Sequence, residues 1–557
     1  MPFVRNLPIR LSAHLPILLT LLAACARAPE AAILVYGRVW TGDSTRPWAT
    51  AVAIAGDSIL AVGDSVDLAR LAGKNTEVLR NGDGLVTPGL KDSHTHFIDG
   101  GFQLASVDLR DAATPEEFTA RIKAFAAERR PGEWILGGNW DHERWPRAVL
   151  PRKEWIDSVT PSIPVVVDRL DGHMSLGNSA ALRAAGISRA TKDVPGGEIV
   201  RDPRTGEPTG IFKDNAQALL YAAIPAPSEA QLDAALGRAL AHAASKGVTA
   251  IDNVSVPRTW LGAWQRARAA GTLTVRAKLF FPITNWRWVA DTVARIGPGD
   301  DWLRIDGVKG YMDGSLGSTT AYFDAPYDDA PRTSGLLTTP VDVMESDVRS
   351  ADSAGLQVVV HAIGDRANGL LLDIYDRVFD GRIRDRRPRI EHAQHLRPAD
   401  LDRVARMGVI LSMQPYHAID DGRWAEKRIG PERIKTTYAF RSLLDRGVVL
   451  AFGSDWTVAP LDPLLGIYAA VTRRTLDGKH PEGWVPEQRI TVEEALRAYT
   501  SAGAFASFAE GTRGRLAPGL KADLVLIDRD LTRIPAAEIE QATIRTTIVG
   551  GKVVYRQ

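Results

Sequence analysis

Eight short apolar runs recur between residue 91 and about residue 500, and stretches of helical periodicity separate them. Strands that alternate with helical segments indicate βαβ units and a parallel sheet. Eight such units predict an α/β fold, a (β/α)8 barrel of the TIM type. The runs are the one entering KDSHTHF, then GVTAIDNV, VRAKLFF, GVKGYMDG, VVVHAIGD, RIEHAQH, GVILSMQP and VVLAFGSDW.

Two further parts of the chain break this alternation. Residues 33–90 and 505–557 hold short β runs punctuated by Gly and Asp, and we expect both chain ends to build one small β-sandwich-like domain. The segment TPEEFTARIKAFAAERR is interpreted as the first barrel helix, because Thr114 and Glu117 have capping-box spacing. Residues 131–227 then exceed an ordinary connection and are predicted to be a subdomain inserted into the barrel of residues 91–504.

The N-terminus has the pattern of a bacterial export signal. Arg5 and Arg10 precede an apolar stretch, residues 11–24, which is too short to span a bilayer and is typical of a signal peptide. Leu22-Ala23-Ala24-Cys25 looks like a lipobox, which implies cleavage after residue 24 and lipidation of Cys25. An ordinary signal peptide and a cytosolic protein with an apolar start are the alternatives. We expect a periplasm-facing or outer-membrane-anchored bacterial lipoprotein, with the lipid anchor as its membrane contact.

Charge and cysteine content narrow the function classes. Lys and Arg total 68 against 67 Asp and Glu, so no overall field draws the chain to nucleic acid. The chain has 1 Cys, which forms neither an internal disulfide nor a thiolate cluster. A metal site must therefore use nitrogen and oxygen ligands. We expect a small-molecule partner and no nucleic acid; homo-oligomerisation is left open.

Several of the predicted strands carry a potential metal ligand at or near their carboxyl ends, which form the active-site face of such barrels. His94 and His96 are two apart on a strand, so their side chains share one side and can reach one cation. Chance or core packing explains the His94–His96 pair alone about equally well, and His361 and His392 are each, taken alone, more often satisfied core residues. A helix cap is the alternative for Asp455. Their combination predicts a metal site. Its residues are His94, His96, Lys309, His361, His392 and Asp455.

An ordered set of motifs runs along the chain: VTPGLKDSHTHF, GNWDHERWP, DGHMSLGNSAAL, GVKGYMDGSLGSTTAYFDAPY, HAIGDRANG, RIEHAQHL, SMQPYH, GSDWTVAPLDPL and LAPGLKADLVLID. Together they resemble the amidohydrolase superfamily, and within it the YtcJ-like group called amidohydrolase family 3. The resemblance covers nearly the whole mature chain. It implies that His94 and His96 bind a first metal, that His361 and His392 bind a second, and that Asp455 binds the first and transfers protons.

The resemblance also gives Lys309 a role. In many amidohydrolases a lysine on this strand reacts with CO2, and the resulting carbamate bridges two metals. Some relatives use a bridging Cys instead, but the Cys of this chain lies in the signal segment. The alternative is that Lys309 pairs with a carboxylate and that the site holds one metal. Zn²⁺ fits four His and a carboxylate best, while Mn²⁺, Fe²⁺ and Co²⁺ stay open.

These ligands predict a hydrolytic mechanism. Zinc lowers the pKa of bound water from ~15.7 to about 7, and the resulting hydroxide would attack a carbonyl. Asp455 would take the water proton and pass it to the leaving nitrogen. We expect a metal-dependent hydrolase of a C–N bond other than a peptide bond, in an amide, N-acyl or N-formyl substrate. A deaminase, a cyclic-imide or ester hydrolase, and a non-catalytic metal-containing binding or regulatory lipoprotein stay open.

Four further residues are predicted to bind substrate. His173 and Asn178 lie in DGHMSLGN, which resembles the family's pocket motif, and His173 is expected to orient the substrate carbonyl. Trp140 is expected to form a pocket wall, and His417 follows the seventh strand. The alternatives are a structural His in a turn, ordinary aromatic packing, and a role for His417 behind the ligands.

Overall fold

The structure, a computed structural model, describes residues 30–129 and 133–557. The predicted signal peptide, residues 1–24, and the predicted lipidation of Cys25 lie outside the described residues and stay predictions. Within the described residues, no helix combines the length and the apolar character needed to cross a membrane.

The described strands, in chain order, are β1 (Ala31–Trp40), β2 (Trp48–Ala55), β3 (Ser58–Gly63), β4 (Ala72–Pro88), β5 (Leu90–Thr95), β6 (Val107–Asp108), β7 (Gly137–Trp140), β8 (Val166–Arg169), β9 (Met174–Gly177), β10 (Gly197–Arg201), β11 (Pro208–Asp214), β12 (Val248–Asn253), β13 (Arg276–Pro282), β14 (Leu303–Tyr311), β15 (Gln357–Ala362), β16 (Arg389–His392), β17 (Ile410–Met413), β18 (Leu450–Phe452), β19 (Leu524–Ile527), β20 (Ile544–Val549) and β21 (Lys552–Arg556).

The described helices are α1 (Ser65–Leu68), α2 (Phe97–Gln103), α3 (Pro115–Ala126), α4 (Lys153–Asp157), α5 (Ser179–Ala184), α6 (Ala218–Tyr221), α7 (Glu229–Ser245), α8 (Leu261–Ala269), α9 (Trp286–Ile296), α10 (Val341–Ser353), α11 (Asp365–Phe379), α12 (Ile383–Arg386), α13 (Pro398–Met407), α14 (Pro415–Asp421), α15 (Ala425–Arg433), α16 (Phe440–Leu444), α17 (Pro463–Thr472), α18 (Val492–Ala498) and α19 (Ser501–Ala506).

Eight parallel strands form the barrel in the order β18-β17-β16-β15-β14-β13-β12-β5. A parallel bridge between Thr95 and Trp456 links the first strand to the residues after the last one. Backbone bonds reinforce this closure, because the N–H of Asp455 donates to the carbonyl of His94 over 2.7 Å. The barrel strands coincide with the eight apolar runs, so the predicted fold is confirmed.

Both chain ends share one seven-stranded sheet, in the order β21-β20-β19-β4-β1-β2-β3. Strands β4 and β19 pair antiparallel, with Leu524 opposite Pro88. Apolar residues of both ends, such as Val35 and Leu524, are buried in one cluster. The two chain ends therefore build one sheet together, and β4 leads directly into the first barrel strand.

A third sheet has six strands in the order β10-β11-β9-β8-β7-β6. Its strands are inserted in the chain between the barrel strands β5 and β12. Helix α3, which sequence periodicity assigned to the barrel, packs Phe118 and Ile122 into the core of this sheet beside Trp140. The inserted packing unit thus starts upstream of the predicted boundary at residue 131. The sequence of an amphipathic helix shows which of its faces is buried but not which sheet covers that face. The helix that packs against the second barrel strand, β12, is α7.

A buried ion pair joins the barrel to the terminal sheet. Arg276 on β13 donates from Nε and Nη2 to the two carboxylate oxygens of Asp523, over 2.6 and 2.9 Å. Asp523 also accepts the backbone N–H of Gly550 over 2.8 Å. Both side chains are almost fully buried. Two planar bonds of this kind fix the angle between the elements that they join.

We expect Asp523→Asn to destabilise the protein by about 3–5 kcal/mol, because it leaves the buried Arg276 charge without its counterion. Urea unfolding followed by circular dichroism measures the loss. Asp233→Asn is the control, since Asp233 pairs with Arg266 on the surface, and its unfolding transition should match that of the parent protein. Equal shifts for the two variants would contradict the structural role of the Arg276–Asp523 pair.

Candidate metal centre

The carboxyl ends of the barrel strands bring three predicted ligands into one group. His94, His392 and Asp455 each offer one ligand atom, and these atoms lie within 4.8 Å of one another. His96 joins the group through Nε2, which lies 3.3 Å from Oδ1 of Asp455. Nε2 of His94 lies 3.5 Å from the same oxygen. The two imidazoles of the HxH pair therefore converge on one carboxylate oxygen.

His361 and Lys309 border this group. The ring of His361 lies 4.6 Å from that of His392, centroid to centroid. Nε2 of His361 lies 3.0 Å from the carbonyl of Gly314, so Nδ1 is the nitrogen left for a cation. Nζ of Lys309 lies 3.3 Å from Nε2 of His94. The structure thus brings every predicted ligand into one cluster.

The geometry around Asp455 fits a cation. Its Oδ1 is buried and receives no hydrogen bond from the described residues, although two imidazole nitrogens lie nearby. An unsatisfied buried carboxylate oxygen is costly unless a charge compensates it. Asp455 and His392 also adopt left-handed φ values of 58° and 74°. Such strained backbone is found mainly where function imposes it.

The protonation states also suit ligation. Burial lowers the pKa of His94, His361 and His392 below the ordinary value, so their imidazoles are neutral, as metal ligands must be. Burial raises the pKa of the Asp455 carboxyl, but the His94 and His96 rings that face it favour its ionised form and hold the pKa below the usual range. Asp455 is therefore an ionised carboxylate within the ligand cluster.

A chain of buried ion pairs supports the first ligand. Nδ1 of His94 contacts the carboxylate of Glu391, which turns Nε2 toward Asp455. Arg389 donates to Glu391 over 2.8 Å and pairs with Asp252, which accepts from Lys91 over 2.5 Å. Sequence reasoning missed this chain. Its signal was present in β16, where Arg389 and Glu391 interrupt a strand expected to be apolar.

A cleft opens above the cluster. His173 lines it, with Nδ1 2.7 Å from Oδ1 of Asp214 and its ring 5.1 Å from that of His361. His417 also lines the cleft and stacks on His392 at 6.3 Å. The structure therefore places these two predicted residues where a substrate would lie. Other polar residues of the wall were not predicted: Arg169, Asp171, Ser315, Gln394, Asp420, Asp421 and Arg423.

Two residues predicted to bind substrate, Asn178 and Trp140, lie outside the cleft. Asn178 caps helix α5, where its Oδ1 accepts the N–H groups of Val165 and Ala181 and its Nδ2 donates to Thr160. Trp140 is fully buried in the core of the inserted sheet and donates from Nε1 to the carbonyl of Val167 over 2.9 Å. Neither lines the cleft. Both side chains stabilise the inserted unit, because their polar atoms are already satisfied there.

We expect Glu391→Gln to weaken metal binding about 10-fold to 100-fold, because the partner that orients His94 loses its charge. Competition with a chromogenic chelator measures the affinity. Glu345→Gln, a substitution on the outer helix α10, is the matched control and should leave the affinity unchanged. Unchanged affinity in Glu391→Gln, with native circular dichroism, would show that Glu391 does not orient a ligand.

The family model described as "Amidohydrolase family" matches residues 82–555. Among curated proteins, "Protein LONG AFTER FAR-RED 3" of Arabidopsis thaliana is 38% identical over 94% of this chain and 91% of its own length. "Putative amidohydrolase YtcJ" of Bacillus subtilis is 32% identical over 86% of this chain and 91% of its own length. These matches confirm the resemblance found in the motifs.

Two further matches carry functional names. An "N-substituted formamide deformylase" of Arthrobacter pascens is 28% identical over 94% of this chain and 98% of its own length. The crystal structure of an uncharacterized metal-dependent hydrolase from Pyrococcus horikoshii is 28% identical, with a TM-score of 0.73, over 91% of this chain and 99% of that one. The likeness thus extends over the barrel, the inserted unit and the terminal sheet.

Proposed function

The chain belongs to the amidohydrolase family of metal-dependent hydrolases, and we propose that it hydrolyses a C–N bond other than a peptide bond, in an amide, N-acyl or N-formyl compound. The observation that carries this proposal is the unsatisfied Oδ1 of Asp455 among the imidazoles of His94, His96 and His392, at the floor of a cleft. The formamide deformylase named above supports the choice of a C–N bond.

The donor set fits divalent cations. His94, His96 and Asp455 would hold one ion, His361 and His392 a second, and Zn²⁺ suits these nitrogen and oxygen donors best. Such ions, when bound, polarise a carbonyl and lower the pKa of a water molecule. Asp455 has two carboxylate oxygens, so one can bind and the other can take the proton of the attacking water. The same oxygen then returns that proton to the leaving nitrogen.

His173 would act on the substrate carbonyl. Burial lowers its pKa, but the hydrogen bond to Asp214 and the charge of Asp171 outweigh burial and raise it above the ordinary value. Because Nδ1 is bound to Asp214, Nε2 is the atom free to donate a proton into the cleft. A charged donor at this place would stabilise negative charge that develops on the carbonyl oxygen.

Lys309 is suited to carboxylation by CO2. Among the described residues no carboxylate pairs with its Nζ within 4.0 Å, and Nζ lies 3.3 Å from Nε2 of His94. This disfavours the alternative of an ion-paired Lys309 beside a single metal. Burial lowers the pKa of Lys309 to about 8, so a useful fraction is the neutral amine near pH 7. Only the neutral amine attacks CO2, and the product carbamate adds an anionic ligand to the centre.

We expect Asp455→Asn to lower kcat at least about 100-fold, because the amide cannot carry the proton from water to the leaving nitrogen. The measurement is amine release from N-formyl and N-acyl amines by protein reconstituted with Zn²⁺, with metal content determined on the same samples. Thr472→Ser, on helix α17, is a control outside the cleft. Parent-like turnover in Asp455→Asn with full metal content would refute the proton role. Absence of turnover in the metal-loaded parent protein would favour a binding protein.

We expect Lys309→Ala to lose one metal per chain and most activity, and short carboxylic acids to restore part of both by replacing the carbamate. Elemental analysis and rate measurements in bicarbonate medium test this. The parent protein should also show a carbamate carbon signal after exposure to ¹³C-bicarbonate, and Lys309→Ala should lack it. Unchanged metal content and rate in the variant would rule out the carbamate.

A further inference from the structure

Helix α14 carries a row of polar side chains from the metal centre outward along the cleft. Asp420 and Asp421 lie three and four residues after His417, so each is a neighbour of His417 on the surface of the helix. All three line the cleft. His417 stacks on the ring of His392, and Asp421 lies one helical turn beyond His417, roughly 5–6 Å between Cβ atoms. The wall of the cleft therefore continues past the metal ligands as a polar surface.

The two guanidinium groups of this wall already have anionic partners. Arg169 pairs with Asp171 at 2.7 Å and with Asp141 at 3.3 Å. Arg423 pairs with the other oxygen of Asp141 at 2.9 Å and with Asp420. Their positive charge is therefore matched by the carboxylates of Asp141, Asp171 and Asp420 before Asp421 is considered. A substrate anion would find no free cation in this part of the wall.

Asp421 is the carboxylate of this wall that has no cation in direct contact among the described residues. Its Oδ2 accepts from the hydroxyl of Tyr438 over 2.6 Å and from the amide of Gln394 over 3.3 Å, so the side chain is held in place. Its Oδ1 receives no hydrogen bond, and the carboxylate forms no ion pair, with the residues that the structure describes. Burial and the neighbouring charge of Asp420 raise the pKa of Asp421 to about 7, although the Tyr438 hydroxyl and the more distant charges of Arg169 and Arg423 lower it.

A second observation points to a polar ligand at the same wall. His417 is 8% exposed, and its Nε2 is buried without a hydrogen-bond partner among the described residues. Asp420 is likewise 8% exposed. Its Oδ1 accepts from Arg423, and its second carboxylate oxygen, Oδ2, takes no part in that bond. Buried polar atoms normally find partners. A ligand whose polar groups run along α14 would supply them.

We propose that Asp421, with Asp420 beside it, binds a positively charged group of the substrate, so that the preferred substrates are amides of diamines or of other amines bearing a second cationic group. This inference rests on the proposed hydrolysis of a C–N bond. The scissile amide would lie at the metal centre, and the cationic end would lie against the outer turn of α14. A substrate ammonium would donate to Oδ1 of Asp421 and supply the missing countercharge.

Three probes of similar length and one acyl group test the inference on Zn²⁺-loaded protein: mono-N-formylcadaverine with an ammonium end, N-formylhexylamine with a neutral end, and N-formyl-ε-aminocaproate with a carboxylate end. We expect kcat/KM for the ammonium probe to exceed that for the neutral probe about tenfold, and the carboxylate probe to be the poorest. Asp421→Asn should reduce the ratio of ammonium to neutral probe to within about threefold. Asp342→Asn, on exposed helix α10, is the matched control and should keep the parent ratio.

The outcomes separate the two proposals. Cleavage of all three probes at equal rates, or a preference for the carboxylate probe, would overturn the cationic specificity and leave C–N hydrolysis standing. If none is cleaved, the proposed function fails for this acyl class, and calorimetric titration of the same probes still tests Asp421. Tighter binding of the ammonium probe that Asp421→Asn abolishes would support the inference, and equal binding of the three probes would refute it.

Discussion

The metal centre depends on a buried row of alternating charges beneath it. Lys91, Asp252, Arg389 and Glu391 are all almost fully buried, and each contacts the next. Removing one member would leave its neighbours as uncompensated charges in the barrel interior, which is far costlier than losing a surface pair. The row comes from strands β5, β12 and β16, so it fixes these strands relative to one another. Because Glu391 ends in contact with His94, the row also sets the orientation of the first metal ligand.

Buried ion pairs also attach the inserted sheet to the barrel beside the cleft. Asp141, which follows β7, accepts from Arg169 on β8 and from Arg423 after α14, so one buried carboxylate joins the insertion to the barrel. Arg428 makes a second link, since it donates to Glu143 over 2.8 Å. These bonds hold the insertion over the carboxyl ends of the strands. His173 and Asp214, both from the insertion, thereby come to face His361 on β15.

The sequence predicted the barrel and the candidate ligands that cluster at its carboxyl end, because both are encoded locally. Each strand is a short apolar run, and ligands such as His361 and Asp455 sit at or just after the ends of those runs. The residues that line the cleft could not be predicted from such local sequence patterns. Asp421 lies on a short helix, Arg169 lies on a strand of another sheet, and only tertiary contacts show that they share a wall. Asn178 illustrates the opposite error, because its place in a family-like motif suggested binding while its side chain caps a helix.

If Asp421 binds a cationic group as proposed, the charge distribution along the cleft would orient the substrate. At the floor, neutral imidazoles and the Asp455 and Glu391 carboxylates form a candidate site for metal ions. With such ions bound, a carbonyl oxygen would be favoured there over an ammonium group. Along α14 the matched guanidinium groups of Arg169 and Arg423 leave the carboxylate of Asp421 in excess. A molecule with an electron-rich carbonyl at one end and a positive charge at the other fits one orientation and is opposed in the reverse one. Complementarity of this kind selects orientation and register more than it adds affinity. Asp455 lies just after β18 and Asp421 ends helix α14, so in the proposed binding mode the fold would fix the distance from the reacting carbonyl to the charged end of the substrate.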